Sequence, residues 1–142
     1  MHRFLELHVE DFMTRSVVTI SPAATIAEAQ RLFVEHDFNC LPVVRDGKLV
    51  GVLTKLDLLK AFRFRMTHVV PPYASIVAEP VRTVMTEDPA TVRPDAPLTR
   101  VLEKMVNTRF RSFPVVLGDE LVGIISREDV MRGLLSVARG EA

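Results

Sequence analysis

The chain has 142 residues, 48% of them apolar, with 18 acidic and 18 basic side chains that cancel. That is enough material to bury a core in one compact domain or in two small halves, and the lack of net charge argues against electrostatically driven binding to nucleic acid or to an anionic membrane. One cysteine, Cys40, excludes an intramolecular disulfide and suits a reducing cytoplasm, while no run approaches a membrane span and the opening residues lack a signal peptide's apolar core.

In chain order, Val9, Phe12 and Met13 have the i, i+3, i+4 spacing of a short helical turn with one apolar face. The β-branched run from Val17 to Ile20 predicts a short strand. After Ser21-Pro22 a helix is expected from Thr25 to about His36, with Thr25 and Glu28 at capping-box spacing. Leu41 to Arg45 and Lys48 to Thr54 flank Asp46-Gly47, the pattern of a tight β-hairpin. A second helix starts near Lys55 or Asp57 and carries Leu58, Leu59 and Phe62 on its apolar side; Lys60 to Arg65 extends it. Residues 64–80 contain Pro71-Pro72 and Tyr73, which break helix and sheet, and read as a connector. The series then returns. Val81, Val84 and Met85 repeat the apolar turn, and Leu98, Val101, Leu102, Met105 and Val106 form a helical stripe. Gly118-Asp119 marks a second hairpin, and Val130, Met131, Leu134 and Leu135 line a last helix whose end, from about Val137, is expected to fray.

This return is a true internal repeat. Shifting the sequence by 72 positions aligns Val9 with Val81, Met13-Thr14 with Met85-Thr86, Pro42-Val43-Val44 with Pro114-Val115-Val116, Leu49-Val50-Gly51 with Leu121-Val122-Gly123, and Asp57 with Asp129. Roughly fifteen of about fifty-four gap-free pairs are identical where chance gives about three, so duplication is the reading. The order strand, helix, strand, strand, helix is given twice. One such unit has too little interior to stand alone, so the two copies are expected to pack together with approximate twofold symmetry.

Each copy resembles a cystathionine-β-synthase (CBS) domain. The residues that carry the resemblance are Met13-Thr14, then Leu41-Pro42-Val43-Val44, then Gly51-Val52-Leu53-Thr54-Lys55-Leu56-Asp57. The second set is Met85-Thr86, Phe113-Pro114-Val115-Val116 and Gly123-Ile124-Ile125-Ser126-Arg127-Glu128-Asp129. The resemblance implies an α/β (α+β) fold of two tandem β-α-β-β-α repeats packed through their sheets, with one CBS domain at 9–63, the connector at 64–80 and the second at 81–136. It also implies a homodimer of the stand-alone kind. Its role would be that of a regulatory, energy-sensing module that binds AMP, ADP, ATP, S-adenosylmethionine or NADH and signals to a protein partner that the sequence does not name.

Asp57 and Asp129 each follow a Thr or Ser by three positions at a strand-to-helix junction. A carboxylate there can accept two hydrogen bonds from the cis-diol of a ribose. The same spacing also makes a helix cap that needs no ligand, and spacing alone favours the cap. The resemblance implies ribose binding by the aspartate at this position, at one site or at both, in two clefts that each draw on both copies. With Asp57 it groups Val52, Thr54, Ala90, Arg111 and Ser112, and with Asp129 it groups Ile124, Ser126, Val18, Asn39 and Cys40. Arg111 can pair with a phosphate where Asn39 offers only a neutral amide, so the clefts are expected to be unequal, with the more phosphorylated ligand at Asp57. A ligand-free dimerisation scaffold is the alternative. The four histidines lack zinc-ligand spacing, no Gly-rich phosphate loop is present, and Cys40 has no evident activating partner, so neither a metal, a required cofactor nor a catalytic residue is expected.

Overall fold

The computed structural model describes residues 3–63 and 73–140. A short 3-10 turn at Arg3–Glu6 precedes α1 (Val9–Phe12), α2 (Ile26–Glu35), β1 (Cys40–Arg45), β2 (Lys48–Thr54) and α3 (Lys55–Ala61). Then come α4 (Tyr73–Val77), a 3-10 turn at Val81–Thr83, β3 (Thr86–Glu87), α5 (Leu98–Thr108), β4 (Ser112–Leu117), β5 (Glu120–Ser126) and α6 (Arg127–Ala138). The class is mixed α/β, as the sequence implies. Among the described residues no helix is long and apolar enough to cross a membrane.

These elements form two compact units that cut across the order of the chain. A central unit is Val18–Pro89; a split unit joins the residues up to Val17 with those from Ala90 onward. Each unit therefore takes its hairpin from one sequence copy and its Met-Thr segment from the other.

In the central unit β1 and β2 pair antiparallel, and β3 pairs antiparallel with β2 through Gly51 with Glu87 and Val52 with Thr86. The hairpin turns at Asp46 (φ 53°) and Gly47 (φ 78°), the left-handed pair that matches the twist of the strands. Its core is Ile20, Ile26, Ala29, Leu41, Val43, Leu53, Leu58 and Val81. The Thr25 hydroxyl caps α2 by accepting the Glu28 amide at 3.2 Å. The run Val17 to Ile20 is not a strand: only Ile20 pairs, in a single parallel bridge to Val43, before Pro22 removes the next donor. The described part of the expected connector is also more ordered than its prolines suggest. It forms α4, whose Tyr73 hydroxyl donates to Gln30 at 2.8 Å, and the Val81 amide bonds the Ala24 carbonyl at 2.7 Å. Pro71-Pro72 and the end of the expected α3 extension lie outside the described residues.

The split unit repeats the plan. β4 and β5 pair antiparallel, Thr14 bridges Ile124, and Val92 bridges Val115. Val9, Met13, Val92, Leu98, Val101, Met105, Phe113, Val115, Ile125 and Val130 are buried together. Four apolar expectations fail here and in the central unit. Val106, Leu59 and Met131 are 69%, 68% and 66% exposed. Each helix buries a narrower stripe than the list of apolar residues suggests, because every position is turned by about 100° from its neighbour. Leu135 is exposed for the same reason. The tail does not fray at Val137, which packs against the core inside α6.

Gly51 and Gly123 leave room for the incoming segment. A Cβ on Gly51 would sit 2.8 Å from the Thr86 carbonyl oxygen and 2.9 Å from the Met85 sulfur; on Gly123 it would sit 2.9 Å from both the Thr14 carbonyl and the Met13 sulfur. The Met-Thr pair and the glycine thus recur because they meet. Gly51→Ala is expected to lower unfolding free energy by about 1–3 kcal/mol, read from the urea midpoint, with Gly123→Ala alike. An unchanged midpoint would show that the Met-Thr segment yields to the added methyl without cost.

Candidate functional site

Each unit carries one buried carboxylate at the start of a helix. In the central unit Thr54 ends β2 and caps α3, and Asp57 is the third helical residue. The Thr54 hydroxyl accepts the Asp57 amide at 3.2 Å, and Asp57 Oδ2 accepts the Thr54 amide at 3.0 Å. In the split unit Ser126 and Asp129 make the same reciprocal pair at 3.2 and 2.9 Å. Asp57 and Asp129 are each only 4% exposed. Such burial costs free energy unless the charge is compensated, and the cap supplies part of that compensation. The capping role weighed from the spacing is therefore realised at both positions.

Further donors come from residues that sequence reasoning did not single out. The Thr86 hydroxyl donates to Asp57, 3.2 Å from Oδ2 and 3.4 Å from Oδ1, and the Lys60 ammonium stands 3.8 Å from Oδ1. The Thr14 hydroxyl lies 3.5 Å from Asp129 Oδ2, and the Arg132 guanidinium donates to Asp129 Oδ1. The recurrence of Thr14 with Thr86 and of Lys60 with Arg132 was the signal available. What it lacked was the knowledge that each threonine belongs to the other copy's unit. No buried side-chain polar atom among the described residues lacks a partner, so both carboxylates are satisfied as they stand. A carboxylate offers about four acceptor positions, and at Asp57 only Oδ2 is fully engaged at hydrogen-bond distance.

The other expected site residues are distributed as follows. Val18, Asn39, Cys40, Val52, Thr54 and Asp57 lie in the central unit; Ala90, Arg111, Ser112, Ile124, Ser126 and Asp129 lie in the split unit. Within the central unit Cys40 pairs in register with Thr54, and Val52 with Thr86, so both border the Asp57 cap. Within its own unit Cys40 stands beside Asp57. In the split unit Ser112 pairs with Ser126, and Ile124 bridges Thr14 next to Asp129. The Arg111 carbonyl accepts the Arg127 amide at 3.0 Å, while its guanidinium is exposed and makes no ion pair among the described residues.

A model of the CBS domain matches residues 9–63 and 81–136. The chain belongs to the CBS domain family. Its fold is similar to that of CBSX2 in complex with AMP, at 31% identity and a TM-score of 0.80, covering 93% of this chain and 98% of that one. It is also similar to the CBS domain pair of protein MJ0100 in complex with 5-methylthioadenosine and S-adenosyl-L-methionine, at 28% identity and a TM-score of 0.71, covering 96% and 98%. By sequence it is 33% identical over 122 residues to inosine-5'-monophosphate dehydrogenase of Korarchaeum cryptofilum, covering 85% of this chain but 23% of that enzyme. The CBS pair thus spans about a quarter of that relative's length.

The same packing bears on Cys40. Burial, and after it the negative charge of Asp57, push its thiol up to about 12. At pH 8 the thiol is then almost wholly protonated, which makes it a weak nucleophile. A thiol-specific reagent is expected to label native protein at pH 8 at least about a hundredfold more slowly than protein unfolded in urea, where the ordinary cysteine value returns. Equal rates would show the thiol to be exposed.

Proposed function

We propose that this CBS pair is a regulatory module that senses an adenosine-containing ligand, AMP, ADP or ATP, or S-adenosylmethionine or NADH, and signals by conformational change to a protein partner. The observation that carries the reading is the cap, built twice, that holds a buried aspartate at a strand-to-helix junction, with acceptor capacity left at Asp57 Oδ1 beyond its structural bonds. A ribose cis-diol is a donor pair suited to that capacity. The adenosine compounds held by CBSX2 and by MJ0100 support the ligand class. In this reading Asp57 and Asp129 take the ribose with Thr54 and Ser126 beside them. Val52 and Cys40 flank the first of these caps, and Ile124 and Ser112 the second. Arg111 is the guanidinium assigned to a phosphate tail. The ligand is a regulatory effector rather than a cofactor, and the module acts on a partner rather than by catalysis. A ligand shifts the partner only by the difference in its affinity for two states of the module.

The rival reading is a ligand-free scaffold. It is favoured by one observation: both carboxylates have hydrogen-bond partners without a ligand. Titration decides between them. Saturating AMP at about a hundred times its dissociation constant is expected to add about 2.7 kcal/mol of stability, with ATP and S-adenosylmethionine tested in parallel. Asp57→Asn is expected to weaken AMP binding at least about tenfold, and Arg111→Ala to weaken ATP more than AMP. No shift with any of these compounds would leave the scaffold as the function.

Both readings include a homodimer. Exposed Leu56 and Leu59 on α3 and Met131 and Leu135 on α6 support self-association, since apolar faces of this kind gain by being covered. Light scattering is expected to return a dimer mass, and Met131→Glu to shift it towards the monomer; a monomeric wild type would end this part of the proposal.

A further inference from the structure

The two caps are built on one plan but closed by different cations. The residue one helical turn after each aspartate is Lys60 in the central unit and Arg132 in the split unit. Lys60 stands 3.8 Å from Asp57 Oδ1, an ion-pair distance and too long for a hydrogen bond, and has no other partner among the described residues. Arg132 is held on three sides. Its Nη2 donates to Asp129 Oδ1, the same nitrogen donates to the Phe12 carbonyl at 3.0 Å, and its guanidinium lies over the Phe12 ring, 5.9 Å from the centroid. Phe12 has Val84 as its counterpart in the other copy, so neither the ring nor the fork is present at Asp57.

We infer that Arg132 is an internal occupant of the Asp129 cap, so that one chain takes an adenosine-containing ligand at Asp57 first and at Asp129 only by displacing Arg132. This rests on the reading above, that the aspartates carry the ribose. Asp129 Oδ2 already accepts the Ser126 amide at 2.9 Å, leaving Oδ1 as the oxygen a diol requires, and Arg132 takes it. A guanidinium bond to a carboxylate carries charge on both partners, whereas a hydroxyl bond carries it only on the acceptor, and the guanidinium is held in place by the Phe12 carbonyl and ring. The diol therefore replaces a stronger donor at Asp129 and meets a long Thr86 hydroxyl contact of 3.4 Å and a loosely placed ammonium at Asp57. Arg132 is thus a specificity-determining residue that makes two similar caps unequal.

Calorimetric titration of the whole chain with AMP tests this. The wild type is expected to show two steps, the second at least about tenfold weaker. Asp57→Asn should remove the tight step and Asp129→Asn the weak one. Arg132→Lys, which reproduces the cation of the other cap without deleting the charge, should strengthen the weak step until the two differ by less than about threefold. Urea unfolding of each variant shows whether it is folded, and the conservative Arg132→Lys variant keeps the test open if an asparagine variant is not. Two equal steps in the wild type, loss of the tight step in Asp129→Asn, or an unchanged gap in Arg132→Lys would overturn the inference while leaving the ligand reading intact. Absence of AMP binding, or binding indifferent to both asparagine variants, would overturn the ligand reading itself.

Discussion

A carboxylate withdrawn from water at the head of a helix must be met by donors within a few ångströms, and much of this molecule follows from meeting that need twice. At Asp57 the first donor is local, the amide of Thr54 three residues back. The second is not local: the Thr86 hydroxyl arrives on a short strand that must lie against β2. That strand can approach only because residue 51 has no side chain. The buried charge, the bare glycine and the Met-Thr segment are therefore one construction, and Asp129, Gly123 and Met13-Thr14 repeat it. A side chain at residue 51 leaves a clash, and loss of Thr86 leaves an under-compensated carboxylate, each costing about 1–3 kcal/mol.

This construction explains why the units cut across the sequence copies. The hairpin and helix of one copy are completed by the leading segment of the other, so neither copy contains everything its own carboxylate needs. Val81 is fully buried in the core built by the first copy's Ile26, Leu41 and Leu53, and Val9 is fully buried in the core built by the second copy's Leu98, Phe113 and Ile125. A single copy would lose a wall of its core as well as a donor to its aspartate. The exchange makes the pair the smallest unit that satisfies both its apolar and its polar requirements.

Duplication supplies the frame, and divergence has worked on the residues around it. Every backbone feature of the cap recurs, down to bond lengths within about 0.1 Å in the two reciprocal pairs. The side chains that would meet a ligand do not: Asn39-Cys40 stands where Arg111-Ser112 stands, and Lys60 with Val84 where Arg132 with Phe12. On the proposed ligand reading, such inequality would let two sites answer to different ranges of ligand concentration.

What the sequence by itself determined is the set of features whose partners lie a few residues apart. The repeat, the Thr25 cap, the two hairpins with their left-handed turn residues, and the reciprocal Thr54–Asp57 and Ser126–Asp129 pairs were all legible, since spacing alone dictates those hydrogen bonds. The tertiary structure decided everything carried by distant partners. Thr14 meets Asp129 across 115 positions and Arg132 meets the Phe12 carbonyl across 120, and no periodicity in the chain encodes such pairings. It also decided which apolar side chains stay outside: Leu59, Val106 and Met131 fit the helical pattern but face solvent, because a pattern gives the angle of a residue on its helix, and only packing gives the width of the face that is covered.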